Sequence, residues 1–171
     1  MTWTRVYVPQ DVDRGIRDWA MRVSKTKRSA SVRNKKIGAQ GSIETDVIGR
    51  RGEWAVARFF DCLTDDEITE AGHKRADLVV ESGDDRVTLE VKTMRAGGRL
   101  LLVHDLDSIR ADYLVLCCDH VDMYGYVSIL GCVTAERFKR EKVVRDLNYG
   151  NTNAMLDADL DSMAVLQRFR R

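Results

Sequence analysis

Proline, histidine and cysteine are scarce here: one, three and four residues in a chain of 171. The cysteines, Cys62, Cys117, Cys118 and Cys132, have no zinc-type spacing. Cys117 and Cys118 are neighbours in a strand-like run, so their side chains point to opposite faces. All four read as small core residues of a reducing, intracellular protein, and no zinc site is expected. His104 and His120 lack any partner spacing for a nucleophilic or zinc-binding role. No apolar run approaches the roughly 20 residues of a membrane span. The first residues, Met1 to Val6, do not read as a signal peptide. A cytoplasmic location without a membrane partner is therefore expected. The lone proline, Pro9, precedes a helical pattern, and neither a repeat nor an interdomain linker interrupts the chain. A single domain over residues 1–171 follows, long enough to bury a real core.

Acidic residues are missing over one long stretch. The net charge is only +1, yet Ala20 to Ile43 contains no Asp or Glu. Over the same stretch Arg22, Lys25, Lys27, Arg28, Arg33, Lys35 and Lys36 are all positive. Such a run, with Ser, Asn and Gly interspersed, is often a solvated loop. It is also what a phosphodiester backbone attracts, so Lys25, Lys27, Arg28, Arg33, Lys35 and Lys36 are candidate DNA contacts.

The richest pattern is Arg75 to Thr93. Two alternating strands flank the turn Ser82-Gly83-Asp84-Asp85, a hairpin signal. If Ser82 faces Asp85, then Glu81 faces Arg86 and Asp77 faces Glu90, with Cβ atoms about 5 Å apart. Lys92 shares the face of Glu90 by the two-residue period. Leu78, Val80, Val87, Leu89 and Val91 form the opposite, core-facing side. An Asp/Glu/Lys cluster can also be a solvated sheet face, where ion pairs contribute only about 0–1 kcal/mol. Against that, directly facing carboxylates repel and Asp is a poor strand former. A bound divalent cation is the simplest compensation.

Elsewhere the spacing predicts a helix from Gln10 to about Val23, with Val12, Ile16, Trp19 and Val23 on one side. A second helix is expected from Thr45 or Asp46 to about Asp61. Glu53 lies along or beside its apolar stripe, with Val56, Ala57 and Phe60 at i+3, i+4 and i+7. A carboxylate there is costly unless it is paired or coordinates something. Pairing with Arg50 or Arg51 is one solution; a third carboxylate facing a metal is the other. Further expectations are a short strand at Ile68–Ala71, a loop at Gly72–Arg75, and a break at Gly97-Gly98. A helical turn at Asp105–Arg110 and strands at Asp112–Cys118 and Tyr124–Val133 follow. Thr134 should cap a helix to about Val144. Leu156, Leu160, Met163, Leu166 and Phe169 suggest a C-terminal helix.

This order of elements, with Asp77, then Glu90-Val91-Lys92, and Glu53 upstream in Gly49-Arg-Arg-Gly-Glu-Trp-Ala-Val-Ala57, resembles the PD-(D/E)xK nuclease superfamily. That superfamily comprises restriction-endonuclease-like and Holliday-junction-resolvase-like enzymes. The resemblance covers roughly Asp46 to Phe138. Ala76 stands where the motif has proline, a position that shapes the backbone and supplies no ligand. The resemblance implies an α/β fold with a restriction-endonuclease-like αβββαβ core at residues 46–138, its mixed sheet flanked by helices. Residues 1–45 would be a basic extension and residues 146–171 a helical segment.

The resemblance also implies a reaction. Asp77, Glu90 and the carbonyl of Val91 would hold Mg²⁺ or Mn²⁺, with Glu53 completing the set. Lys92 would position the attacking water or stabilise the transition state. DNA would be the substrate, with no small organic cofactor, and a homodimer is expected because cutting two strands calls for two sites. A junction resolvase, a restriction-like enzyme and a phage-type, mobile-element or repair nuclease all fit. A non-catalytic DNA- or protein-binding relative is the alternative. Arg50, Arg51, His73, Lys74 and Arg75 are further candidate phosphate contacts.

Overall fold

A computed structural model of the chain describes residues 3–29, 42–62, 76–147 and 151–170. The chain is mixed α/β. Its elements are β1 (Thr4–Tyr7), α1 (Gln10–Ser29), α2 (Ser42–Phe60), β2 (Leu78–Ser82), β3 (Asp85–Arg95) and β4 (Leu100–Val103). After a 3₁₀ turn at Leu106–Ser108 come β5 (Tyr113–Asp119), α3 (Val121–Tyr124), β6 (Tyr126–Thr134) and α4 (Ala135–Glu141). β7 (Val143–Asp146), β8 (Asn151–Leu156) and 3₁₀ segments at Asp157–Asp159 and Met163–Phe169 complete the described chain.

A central sheet has the order β1-β6-β5-β3-β2. β2 and β3 form the expected hairpin, with Ser82 opposite Asp85, Glu81 opposite Arg86 and Leu78 opposite Leu89. β5 runs parallel to β3, Glu90 lying beside Leu114 and Lys92 beside Leu116. The period of two sorts the side chains. Leu78, Val80, Leu89 and Val91 join Val115, Cys117 and Ile129 in a core beneath Ala55, Val56 and Phe60 of α2. Helix and strand approach closely at Gly52, where a Cβ would fall 1.8 Å from Thr93 Oγ1. Only glycine lets α2 lie this low, and that sets Glu53 beside the hairpin.

The other face of the sheet is covered differently from expectation. A second sheet, ordered β4-β8-β7, and Phe138 of α4 enclose Leu114, Leu116, Leu130 and Val133 there. Helices therefore do not flank both faces.

Several boundaries move. α1 continues past Val23 to Ser29, so Lys25 is exposed on a helix and not in a loop. Thr134 caps α4, its hydroxyl accepting from Arg137 N–H at 3.2 Å. That helix stops at Glu141, and the β-branched Val143 and Val144 pair with β8 instead. The expected C-terminal helix is absent among the described residues. Leu160, Met163, Leu166 and Phe169 are buried at intervals of three, which matches the 3₁₀ period of three residues per turn. Ser162 caps the segment by accepting from Ala164 N–H. The strand expected at Ile68–Ala71 lies outside the described residues. No described helix is long and apolar enough to cross a membrane.

Candidate active site

The β2–β3 ladder ends at Leu78–Leu89, and Asp77 takes over where backbone pairing stops. Its Oδ2 accepts the Val91 N–H at 2.7 Å. The carboxylate thus sits on the peptide between Glu90 and Lys92. Lys92 Nζ lies 2.5 Å from Glu90 Oε1. Glu53 approaches from α2, with one oxygen 2.9 Å from Arg50 Nη1. Pairing with Arg50 is the solution the structure shows for Glu53, which also acts on Asp77.

That action is electrostatic. Burial, then the Glu53 carboxylate and to a lesser degree Glu90, push the Asp77 carboxyl from 3.8 up to about 7. The Val91 N–H and the Lys92 ammonium pull the other way. Burial is the larger cause and the neighbouring negative charge the second. A half-buried Asp amid carboxylates is a site where a cation, or a proton, is favoured. The donors are all oxygen, a set that suits Mg²⁺ or Mn²⁺. Among the described residues no three His, Cys, Asp or Glu side chains form a compact metal-holding group. Two carboxylates with water completing the shell is how Mg²⁺ is commonly held.

Thr93, which follows Lys92, makes no side-chain hydrogen bond beside the site among the described residues. Its Oγ1 is buried without a hydrogen-bond partner, beneath Gly52 and one residue beyond Lys92. Its position on the core face of β3 could be read from the period of two; the close approach of Gly52 could not.

The expected nucleic-acid contacts fare unevenly. Arg51 is a correction. It is 1 % exposed and bonded to Asp13 (2.7 Å), Asp119 (3.0 Å) and Asp122 (3.0 Å). Three carboxylates overcome the cost of burial and hold its pKa above the ordinary arginine range. The residue ties α1 and α3 to α2 and presents no charge to a ligand. Arg50 is also buried, its guanidinium 5.0 Å over the Trp19 ring while it holds Glu53. Lys25 stands exposed on α1, and the backbone of Lys27 and Arg28 belongs to the same helix. Arg33, Lys35, Lys36, His73, Lys74 and Arg75 lie outside the described residues.

Comparison with protein-family models, curated proteins and solved structures returned no match.

Proposed function

We propose that the chain is a divalent-metal-dependent endonuclease that hydrolyses phosphodiester bonds in DNA. One observation carries the reading: the Asp77 carboxylate rests on the Val91 N–H, between Glu90 and Lys92, with Glu53 acting on it from α2. The surrounding topology supports a restriction-endonuclease-like core. A helix bearing Glu53 precedes an antiparallel hairpin bearing the other three residues, and β5 is parallel to the hairpin's second strand. The crossover from β3 to β5 departs from that pattern, since β4 and a 3₁₀ turn replace an α-helix.

Asp77 and Glu90, with the Val91 carbonyl, would hold Mg²⁺ or Mn²⁺, and Glu53 would hold a water beside them. The cation, when bound, supplies positive charge for the phosphate oxygens and lowers the pKa of water. Lys92 pairs with Glu90 and would add a positive charge beside the phosphate oxygens on which negative charge develops. Arg50 pairs with Glu53 and fixes its aim. Lys25 and the basic stretch after it would attract the phosphate backbone, and a homodimer would place two such sites on two strands.

Purified protein should be incubated with supercoiled, linear, single-stranded and four-way-junction DNA, with Mg²⁺, Mn²⁺ or EDTA. Cleavage of at least one substrate with metal and of none in EDTA is expected. Failure to cut any of them with either metal would sink the enzyme and leave a nuclease-like binding module.

A further inference from the structure

The edge of the central sheet farthest from the hairpin carries an aromatic cluster for which the proposed reaction has no use. Along β1, Arg5 and Tyr7 point outward while Thr4 and Val6 are half-buried. The ladder sets Tyr7 opposite Tyr126 and Arg5 opposite Ser128. Tyr124, ending α3, lies nearly parallel to Tyr126, with ring centres 6.0 Å apart and planes at 20°. Tyr7 meets Tyr126 edge-on at 5.9 Å, and His120 lies 5.0 Å from the same ring. The Arg5 guanidinium sits 5.1 Å over the Tyr126 centre.

These rings do little for the core. Tyr7 and Tyr124 are 69 % and 60 % exposed. Four ring systems gathered around Tyr126, two of them exposed, with an arginine over that ring, form a surface suited to flat π-faces and negative charge. The neighbouring acids do not cancel that charge. Asp119 is held by Arg51, and Asp122 by Arg51 and Arg17. Arg5 has no carboxylate partner among the described residues.

Flat faces joined by phosphates describe an unpaired nucleotide strand. A duplex hides its base faces; a single strand offers them, and aromatic side chains with nearby arginine are how such strands are gripped. The location agrees. Arg5, Ser128, Cys118 and Met94 form one row across the sheet, and Met94 shares the face of Lys92 and Glu90. Arg5 and Glu90 are therefore on one sheet face, with buried Ser128 and Cys118 between them. Arg5 is three strand spacings, about 14 Å, and four residues along the strand, about 13 Å, from Glu90; Tyr126 is two spacings, about 10 Å, and six residues, about 20 Å, away.

We propose that Tyr124, Tyr126, Tyr7, His120 and Arg5 form a stacking platform that binds an unpaired stretch of nucleic acid. Binding here needs no metal and no cleavage, so it stands or falls separately from the hydrolytic reading.

The test is fluorescence anisotropy of the full chain in EDTA. The probes are a labelled oligothymidylate of about a dozen nucleotides and a blunt duplex of equal length. The single strand should bind more tightly than the duplex. Tyr124→Ala should weaken single-strand binding about tenfold, the order expected for one lost base–aromatic stack. Tyr124→Phe, which keeps the ring, should bind like the unaltered chain. Arg5→Ala should reduce the log–log salt slope by about 1. Because Tyr124 is exposed, an unchanged melting temperature in Tyr124→Ala is expected and separates lost binding from lost folding. Three results would overturn the proposal: no binding of the oligothymidylate, equal affinity in Tyr124→Ala, or preference for the duplex. Sedimentation showing self-association that Tyr124→Ala abolishes, with oligonucleotide affinity unchanged, would overturn it too and assign the face to a second copy.

Discussion

Asp77 is held in an arrangement that stability alone would not favour, and its replacement should show this in two measurements. Asp77→Asn keeps the shape and can still accept the Val91 N–H, but removes the charge. Cleavage should fall at least a hundredfold, an order typical of losing a charge-stabilising group. Stability should move oppositely. The folded-state pKa of about 7 lies above the ordinary 3.8. The protonated carboxyl therefore contributes stability that is fully present below about pH 4 and is lost as pH rises through 7. In EDTA at pH 8, Asp77→Asn should melt higher than the unaltered protein, by about 2–4 °C per kcal/mol relieved. At pH 4 the two should converge. A lower melting temperature for the variant at pH 8 would remove the carboxylate crowding from the argument. Arg51 shows the opposite design. Arg51→Ala leaves Asp119 buried with its charge unpaired and should cost about 3–5 kcal/mol in a denaturant melt. A DNA-contacting Arg51 would instead give normal stability and a shallower salt slope. Nothing in Gly49-Arg50-Arg51-Gly52 distinguishes the two arginines. Their roles depend on helix phase and on Asp13, Asp119 and Asp122, which only the fold brings near.

The hairpin was legible because a two-residue period and a polar turn together set its register. Asp77 could be paired with Glu90 before any coordinates, and the ladder runs as expected up to Leu78–Leu89. The second sheet was hidden for the converse reason. β4 is a continuous apolar run, Leu100–Val103, and β8 carries buried Thr152, Ala154 and Met155 without a turn signal to announce a partner. The C-terminal segment shows how close two periods can be. Residues spaced by three satisfy a helical stripe loosely and a 3₁₀ turn better. The contact of α2 with β3 makes a sharper prediction. Gly52→Ala brings a methyl against Thr93, a stiff β-branched side chain whose Cβ would lie 3.0 Å away. The helix-propensity gain of about 1 kcal/mol should be exceeded by overpacking of about 1–3 kcal/mol. Cleavage should fall as well, since Glu53 moves with α2. Adding Thr93→Ala should recover most of the stability in a double-mutant cycle. Independent, additive effects would mean that α2 does not depend on this contact for its seat.

Charge is shared unevenly over the whole chain, and the two ends of that imbalance answer to different titrants. The basic stretch answers to salt. If the seven cations between Arg22 and Lys36 all touch phosphate, the log–log slope of DNA binding is about −6; replacing Lys25 and its neighbours by Gln should flatten it. Under the proposed function the carboxylate cluster should answer to pH and to divalent cations, and there that function has its most direct thermodynamic consequence. A cation that binds the folded chain alone stabilises it, by about 2.7 kcal/mol at a hundredfold excess over Kd. In a domain of this size that is about 5–10 °C. The cation competes with the proton on Asp77, so the gain must grow as that carboxyl ionises: small at pH 5, full at pH 8. Melting with Mg²⁺ and with EDTA across that range should therefore give two curves that coincide in acid and separate through pH 7, because Mg²⁺ cancels the loss that crowding imposes. In Asp77→Asn the curves should stay together throughout. Equal Mg²⁺ responses in both proteins would place the cation elsewhere, and no response at pH 8 would leave the three carboxylates as a proton site.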